Sequence, residues 1–333
     1  MSKLNTAEKT TTALRECKGE AQRCARIGAR DPVAGVVCLP ASPIELTAMD
    51  DDHETYISLL LSDSNLPTGS FVASSGLESY FKHGFASTSD STTISFVQDS
   101  LATYAHTALP FVSDAHRVVA KLNATSGEHP EGVTEVDDGQ DKTLIDLTAL
   151  DELYETMTLN HVARRASKSQ GVALLTLYSK GFSRPPSLST ESGSNACDQS
   201  ARMSILLDKF KLMVRKEDTH GHLPICWGAL TAALGLSLER SQYLHLFLHA
   251  RSLLSASVRL NNIGPYGAQQ CLMHAVRPLV AGESARCKNL RTGLLEDSES
   301  NFDETLHGPA NTWPLGEILA ARHDLQHSRI FNS

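Results

Sequence analysis

The chain lacks the surplus of positive charge that binding to nucleic acid or an anionic membrane requires. Its formal net charge is −8 over 333 residues, whereas displacing counterions from phosphates takes a concentrated basic surface. Protein partners are the expectation, with no nucleic acid and no membrane among them. There is also no C-x-x-C pair. The seven cysteines, Cys17, Cys24, Cys38, Cys197, Cys226, Cys271 and Cys287, are odd in number and scattered, which fits the reduced thiols of a cytoplasmic protein better than a disulfide framework. No apolar run is long enough to span a bilayer. Residues 1–30 carry no apolar signal core, and Glu8, Glu16 and Glu20 disfavour a mitochondrial transit peptide. The absence of a Gly-Lys dipeptide removes a Walker A loop, and neither G-x-G-x-x-G after a strand nor a G-x-S-x-G elbow occurs. Missing too is any alternating pattern of useful length for a strand, so the expected fold is all-α.

What is present is ordinary for a globular protein, with 41% hydrophobic and 20% charged residues. Residues 1–52 mix both charge signs with Thr, Gly and Pro without a period and read as a flexible N-terminal extension. Residues 53–333 read as one all-helical bundle domain. Ile94, Val97, Leu101 and Tyr104 recur at helical spacing, and a second helix is expected after Pro110 through Val112, Ala115, Val119 and Leu122. A long helix over 144–180 carries Leu147, Leu150, Tyr154, Met157, Leu174 and Leu177, with Gly181 as its stop. His220-Gly221-His222-Leu223-Pro224 opens the most apolar stretch, where Ile225, Trp227, Leu230 and Leu234 cover most of a helix circumference, as in a buried central helix. Ser237 is expected to cap the next helix, which ends at Arg259, and another follows Gly264-Pro265. The acidic stretch 123–142 lacks fixed ligand spacing and reads as a solvated insertion, 183–201, rich in Pro, Ser and Gly, reads as a second loop insertion, and the polar, largely acidic 282–309 as a third. Pro314 starts a short C-terminal helix to about His327, and the tail closes on Ser328-Arg329-Ile330-Phe331-Asn332-Ser333, apolar and cationic where most chain ends are neither.

Four patterns bear on chemistry. Asn65-Leu66-Pro67-Thr68-Gly69 is a turn cluster, after which Ser75 and Glu78 have capping-box spacing. His323-Asp324-Leu325-Gln326-His327 places two imidazoles four apart beside a carboxylate, the pattern of a zinc hydrolase, although Asp is shorter than the usual Glu and little chain follows. His245 and His249 repeat that spacing among Leu246, Phe247 and Leu248, and read as edge-of-core or interface residues, with His220 and His222 as turn residues. Ala163, Ala166 and Gly171 permit close helix approach. Beside them, Arg164, Arg165 and Lys168 suit either phosphate and carboxylate contacts or a solvent face.

In order and spacing, four blocks of this chain resemble the UreF family of urease accessory proteins. They are the signature turn Leu66, Pro67, Gly69, Ser75, Gly76, Leu77 and Glu78; then Arg164, Ser167, Gln170 and Gly171; then His222-Leu223-Pro224 with Ala232-Ala233-Leu234-Gly235, Ser257-Val258-Arg259-Leu260 and Gln269; and finally Arg322-His323-Asp324 with the closing Ser328 to Ser333. Pro265-Tyr266-Gly267-Ala268 departs from the family's polar run at that place. The extension and insertions point to a eukaryotic, fungal form. The resemblance implies a non-enzymatic, all-helical adaptor that binds a UreD/UreH-type scaffold protein and recruits and regulates a UreG-type GTPase for nickel insertion into the urease apoprotein. The protein would be a cytoplasmic homodimer within that complex, with no intrinsic cofactor and no metal ligand assigned; nickel is handled by the assembly. It implies partner binding by Phe71 and, in the tail 312–333, by Arg322, His323, Arg329, Ile330, Phe331 and Ser333, a homodimer seam at Tyr243 and Phe247, and GTPase-facing candidates Arg164, Arg165, Lys168 and Arg259. The tail is expected to be disordered alone and to fold onto the scaffold protein. The rival readings are a zinc metallohydrolase using His323 and His327, and a helical scaffold unrelated to urease.

Overall fold

The computed structural model describes residues 43–63, 65–70, 73–85, 90–124, 135–185, 195–295 and 302–331. The chain divides into two units, Met1–Thr47 and Ala48–Ser333. Of the first, only residues 43–47 are described, as the start of a helix; the architecture below is that of the second. Among the described residues the fold is all-α, as expected, with no strand. In chain order the helices are α1 (Pro43–Leu61), α2 (Pro67–Ser70), α3 (Leu77–Lys82), α4 (Asp90–Ala124), α5 (Glu135–Met157), α6 (His161–Leu177), α7 (Asn195–Arg215), α8 (Leu223–Ala233), α9 (Leu238–Arg259), α10 (Pro265–Gln270), α11 (Arg277–Cys287), α12 (Glu304–His307) and α13 (Pro314–Ala321). A π-helical turn, Tyr178–Phe182, ends α6; another, Cys271–Val276, joins α10 to α11; and a 3-10 turn, Arg322–Leu325, follows α13.

A helix that is apolar on every side has to be surrounded. Every residue of α8 from Pro224 to Ala232 is buried, and α4, α6 and α9 pack round it. Gly228 sets the closest approach: a Cβ there would lie 2.5 Å from the Val112 carbonyl oxygen and 2.9 Å from the Ala115 Cβ. Trp227 is fully buried and donates its indole N–H to the Ser241 carbonyl at 3.1 Å. Burying each side chain of this size contributes about 1.5–3 kcal/mol.

Several boundaries differ from the sequence expectation, each for a tertiary reason. Pro110 lies inside α4, which runs unbroken for 35 residues. Proline removes the bond to the carbonyl four residues back, and the freed His106 carbonyl accepts from the Ala310 N–H at 3.3 Å instead. The single helix expected over 144–180 is two. Asn160 caps α6 by accepting from the Val162 and Ala163 N–H groups at 3.0 and 3.2 Å, and its amide donates to the Glu317 carbonyl at 3.1 Å. Ser237 precedes α9 without a side-chain cap, since its hydroxyl donates to Glu54. Beyond Ala281, where a solvated stretch was expected, α11 continues to the buried Cys287. The next segment is pinned by Thr292, whose N–H and hydroxyl donate to the buried Asp114 carboxylate at 2.8 and 2.6 Å.

Candidate functional site

The signature turn and the C-terminal tail meet. Ser75 and Gly76 have left-handed backbones, with φ of 46° and 90°. A Cβ at residue 76 would also come within 3.1 Å of the Ala320 nitrogen and 3.2 Å of the Leu319 Cβ, so glycine serves both the turn and the approach of α13. The expected capping box between Ser75 and Glu78 does not form: Gly76 occupies the cap position without a side-chain bond. Glu78 is buried, and a buried carboxylate needs donors. It accepts from Lys82 Nζ at 2.9 Å, from the Ile330 N–H at 3.0 Å and from the Phe331 N–H at 3.5 Å.

From the other side, the buried His323 donates through Nε2 to the Phe331 carbonyl at 2.8 Å, and Lys82 also reaches the Ser328 carbonyl. The tail through Phe331 is therefore folded against its own chain, which corrects the expectation of a tail disordered alone. Phe331 and His323, expected to face a partner, are buried in the chain's own interior because Glu78 gathers the tail's N–H groups there. Ile330 is 61% exposed and borders a groove of about 400 Å³ lined also by Phe81, Lys82, Leu260 and Asn262. Arg322 donates to His83 at 3.1 Å, and Arg329 to Asp324 at 2.5 Å. Phe71 and Ser333 lie outside the described residues.

The tail adjoins the cationic side of α6. Arg165 donates two bonds to Asp324, each of 3.1 Å, and His161 approaches the same carboxylate at 3.2 Å. Hydrogen bonds from Arg165 foremost hold the Asp324 carboxyl well below the usual range. One turn on, Glu155 accepts from Arg164 at 3.1 Å, Lys168 at 2.9 Å and His222 Nε2 at 2.7 Å. Partial burial pushes its carboxyl up, but the bonds from Lys168, His222 and Arg164 bring it down to about 2. Burial keeps His222 neutral by lowering its pKa, so Nε2 carries the proton given to Glu155 and Nδ1 accepts from the Ser167 hydroxyl at 3.2 Å. Arg164, Arg165 and Lys168 thus sit on internal carboxylates, while Arg259 is exposed at the end of α9.

Beneath this face Asp151, fully buried, accepts from the Thr219 hydroxyl and from the N–H groups of His220, Gly221 and His222 at 2.6–2.8 Å. Gly171 allows this packing, since any Cβ there would run into the Gly221 carbonyl. Sequence reasoning missed Asp151 and Glu155. The available signal was a pair of carboxylates four apart within an otherwise apolar helical stripe.

Of the other candidates, His245 is a buried core residue and His249, one turn on, is half-buried beside it. Tyr104 stacks on His249 with ring centroids 3.9 Å apart and bonds His245 Nε2 at 2.9 Å, while His249 Nε2 bonds the Ser100 hydroxyl at 3.0 Å. Burial lowers the pKa of His245 to about 3 and that of His249 to about 4, so both rings are neutral. They line a cavity of about 460 Å³. The zinc-hydrolase pair is not built: His323 lies on the 3-10 turn with Nε2 given to Phe331, and His327 is exposed beyond it, so no shared helix face carries both. Tyr243 on α9 is 38% exposed and Phe247 is partly buried against the core. A carboxylate saturated with donors and held near 2 is a poor proton acceptor at neutral pH, so the face suits recognition more than catalysis.

A model of the family described as UreF matches residues 87–276, more than half of the chain. The chain is similar to "Urease accessory protein 6" of Cryptococcus neoformans var. grubii, with 42% identity over 311 residues, covering 84% of this chain and 97% of that protein. It is similar to an "Uncharacterized urease accessory protein UreF-like" of Schizosaccharomyces pombe, at 32% over 284 residues, 85% of this chain and 99% of that one. "Urease accessory protein F" of Oryza sativa subsp. japonica is 28% identical over 285 residues, 84% and 86% of the respective chains. A helical domain matched over this span, with near full-length relatives at these identities, means that the chain belongs to the UreF family.

Proposed function

We propose that this chain is a urease accessory protein: a non-catalytic cytoplasmic adaptor that binds a UreD/UreH-type scaffold protein and recruits and regulates a UreG-type GTPase while nickel is inserted into the urease apoprotein. Membership of the family carries the reading, because fungal and plant relatives matched over nearly their whole length bear the urease accessory name. In this reading the tail face is the scaffold contact. Glu78 and His323 hold the tail by its backbone, which leaves the exposed Ile330 as an apolar anchor beside Arg329, arginine being enriched in interface hot spots. Arg259, exposed at the end of α9, is offered to the GTPase, which an adaptor without a phosphate loop can regulate by positioning switch elements or lending a cation. Tyr243 and Phe247 form the seam of a homodimer. Nickel is the cargo of the assembly.

Expression of this chain in a fungal strain lacking its UreF-type protein should restore nickel-dependent urease activity; absence of rescue by well-expressed protein would overturn the reading. Within it, deleting residues 329–333 and, separately, Ile330→Asp should abolish capture of the scaffold protein while leaving circular-dichroism helicity intact. Undiminished capture by Ile330→Asp would refute the tail assignment alone.

A further inference from the structure

Away from the tail face, a side-chain cluster brings together three kinds of metal ligand. His106 projects from α4, while Glu283 and Cys287 are four apart on α11 and so share one helix face. Their ligating atoms all lie within 4.8 Å of one another. We infer that His106, Glu283 and Cys287 bind one divalent transition ion of the zinc and nickel class, an assignment that does not depend on the urease reading.

The imidazole has the tautomer the task requires. His106 Nδ1 lies 2.9 Å from the Ala102 carbonyl, which can only accept, so Nδ1 carries the proton and Nε2 presents its lone pair. Metal-bound histidines are commonly oriented in this way, by giving the other N–H to a backbone carbonyl. Cys287 Sγ stands 3.6 Å from Nδ1 and 3.9 Å from Nε2, so the sulfur already lies beside the ring and a turn of the imidazole is needed to aim the Nε2 lone pair at a shared ion. A tetrahedral ion bound at about 2.3 Å from sulfur and about 2.1 Å from nitrogen separates the two by about 3.6 Å, close to the spacing present once the ring has turned. Thiolate and imidazole together select zinc, nickel or cobalt over magnesium and calcium. Glu283, 13% exposed, is paired with Arg286, 57% exposed, so an incoming ion takes the place of the Arg286 guanidinium at that carboxylate. The backbone of His106 is held as well, because its carbonyl, freed by Pro110, is bound by Ala310. On binding, the thiol proton passes to solvent, and three protein ligands leave a fourth position to water or to a ligand from a partner.

Titration of the reduced, chelator-treated full-length chain with Co²⁺, followed by competition with Zn²⁺, tests the site. The native protein should show a thiolate-to-cobalt charge-transfer band. Cys287→Ser should lose that band, bind one ion fewer per chain and weaken Zn²⁺ binding at least about 100-fold, and Glu283→Gln should weaken it about 10-fold, ligand loss costing no less than loss of an outer-shell partner. Glu283→Gln and His106→Gln decide the matter if Cys287→Ser does not fold, as judged by circular dichroism. A native protein without the band, or variants that keep native Zn²⁺ affinity and stoichiometry, would overturn the inference.

Discussion

The loop held by Asp151 and the tail held by Glu78 use the same device, a buried carboxylate that gathers backbone N–H groups, yet they leave different surfaces. Asp151 collects a hydroxyl and three consecutive N–H groups from one short run, and Gly171 lets α6 close over that run. Glu78 takes its N–H groups from the chain terminus and shares itself with Lys82. The residue between the gripped backbone and water is then Ile330, which stays exposed. Anchoring backbone to a carboxylate makes a sealed core element where a second helix covers it. Where none does, the same anchoring makes a presented segment, held in place while its side chains face outward.

The strongest way to break this contrast is Asp151→Ala. It strands two buried N–H groups, a half-buried one and a buried hydroxyl, each at about 1–3 kcal/mol, and should lower global stability by about 4 kcal/mol or more in urea unfolding. A loss under about 1 kcal/mol would show that the loop is not the more deeply built of the two.

Acid should separate interior from face. His245 and His249 have folded pKa values depressed to about 3 and about 4 from an ordinary 6.5, so the unfolded chain binds more protons below that point. Their contribution is fully present above pH 6.5 and is lost as pH falls from there toward 4 and 3. Glu155, depressed to about 2 from 4.5, contributes above pH 4.5 and its share is lost only between 4.5 and 2. Unfolding midpoints measured along pH should therefore decline first between 6.5 and 4.5, and His245→Gln should flatten that first decline. A native curve that is level down to pH 4.5 would contradict the neutral pair.

Glu78→Gln should cost about 1–2 kcal/mol, since an amide keeps one acceptor for the tail but loses the charge-assisted bonds. It should also expose the tail to limited proteolysis well before the core is cut. Equal cutting of tail and core would erase the distinction between a held segment and an integral one. Arg165→Ala should have the least effect, under about 1 kcal/mol, because its pair with Asp324 lies in water-accessible surroundings. A larger loss by thermal melting would place α6 and the tail in one cooperative unit.

Much of the helical plan was legible from local pattern. The apolar circumference of 225–234 marks α8 as the centre, and the small residues near Gly171 announce the close approach that the Gly221 backbone makes. The partner of a buried polar group was not legible. Glu78 has the spacing of a capping box but gives itself to a backbone 252 positions away. Asp151 looked like an acid in a stripe because its donors lie in a loop 68–71 residues onward, and Glu155 joins that loop to α6, taking one donor from His222 and two from Arg164 and Lys168. The break before α6 depended on Asn160 finding the end of α13.

Residue order alone determined that the described domain is all-helical and which helix lies innermost, because periodicity and turn chemistry act within a few neighbours, and its four motif blocks carry the resemblance to the UreF family. Only the folded arrangement decided that α4 passes unbroken through Pro110, that the terminus docks on α3 with Phe331 inward and Ile330 outward, and that His106 meets Glu283 and Cys287. Each of those outcomes turns on a buried donor, acceptor or ligand satisfied from a distant part of the chain, and desolvation makes such satisfaction obligatory without saying where in the sequence it will come from.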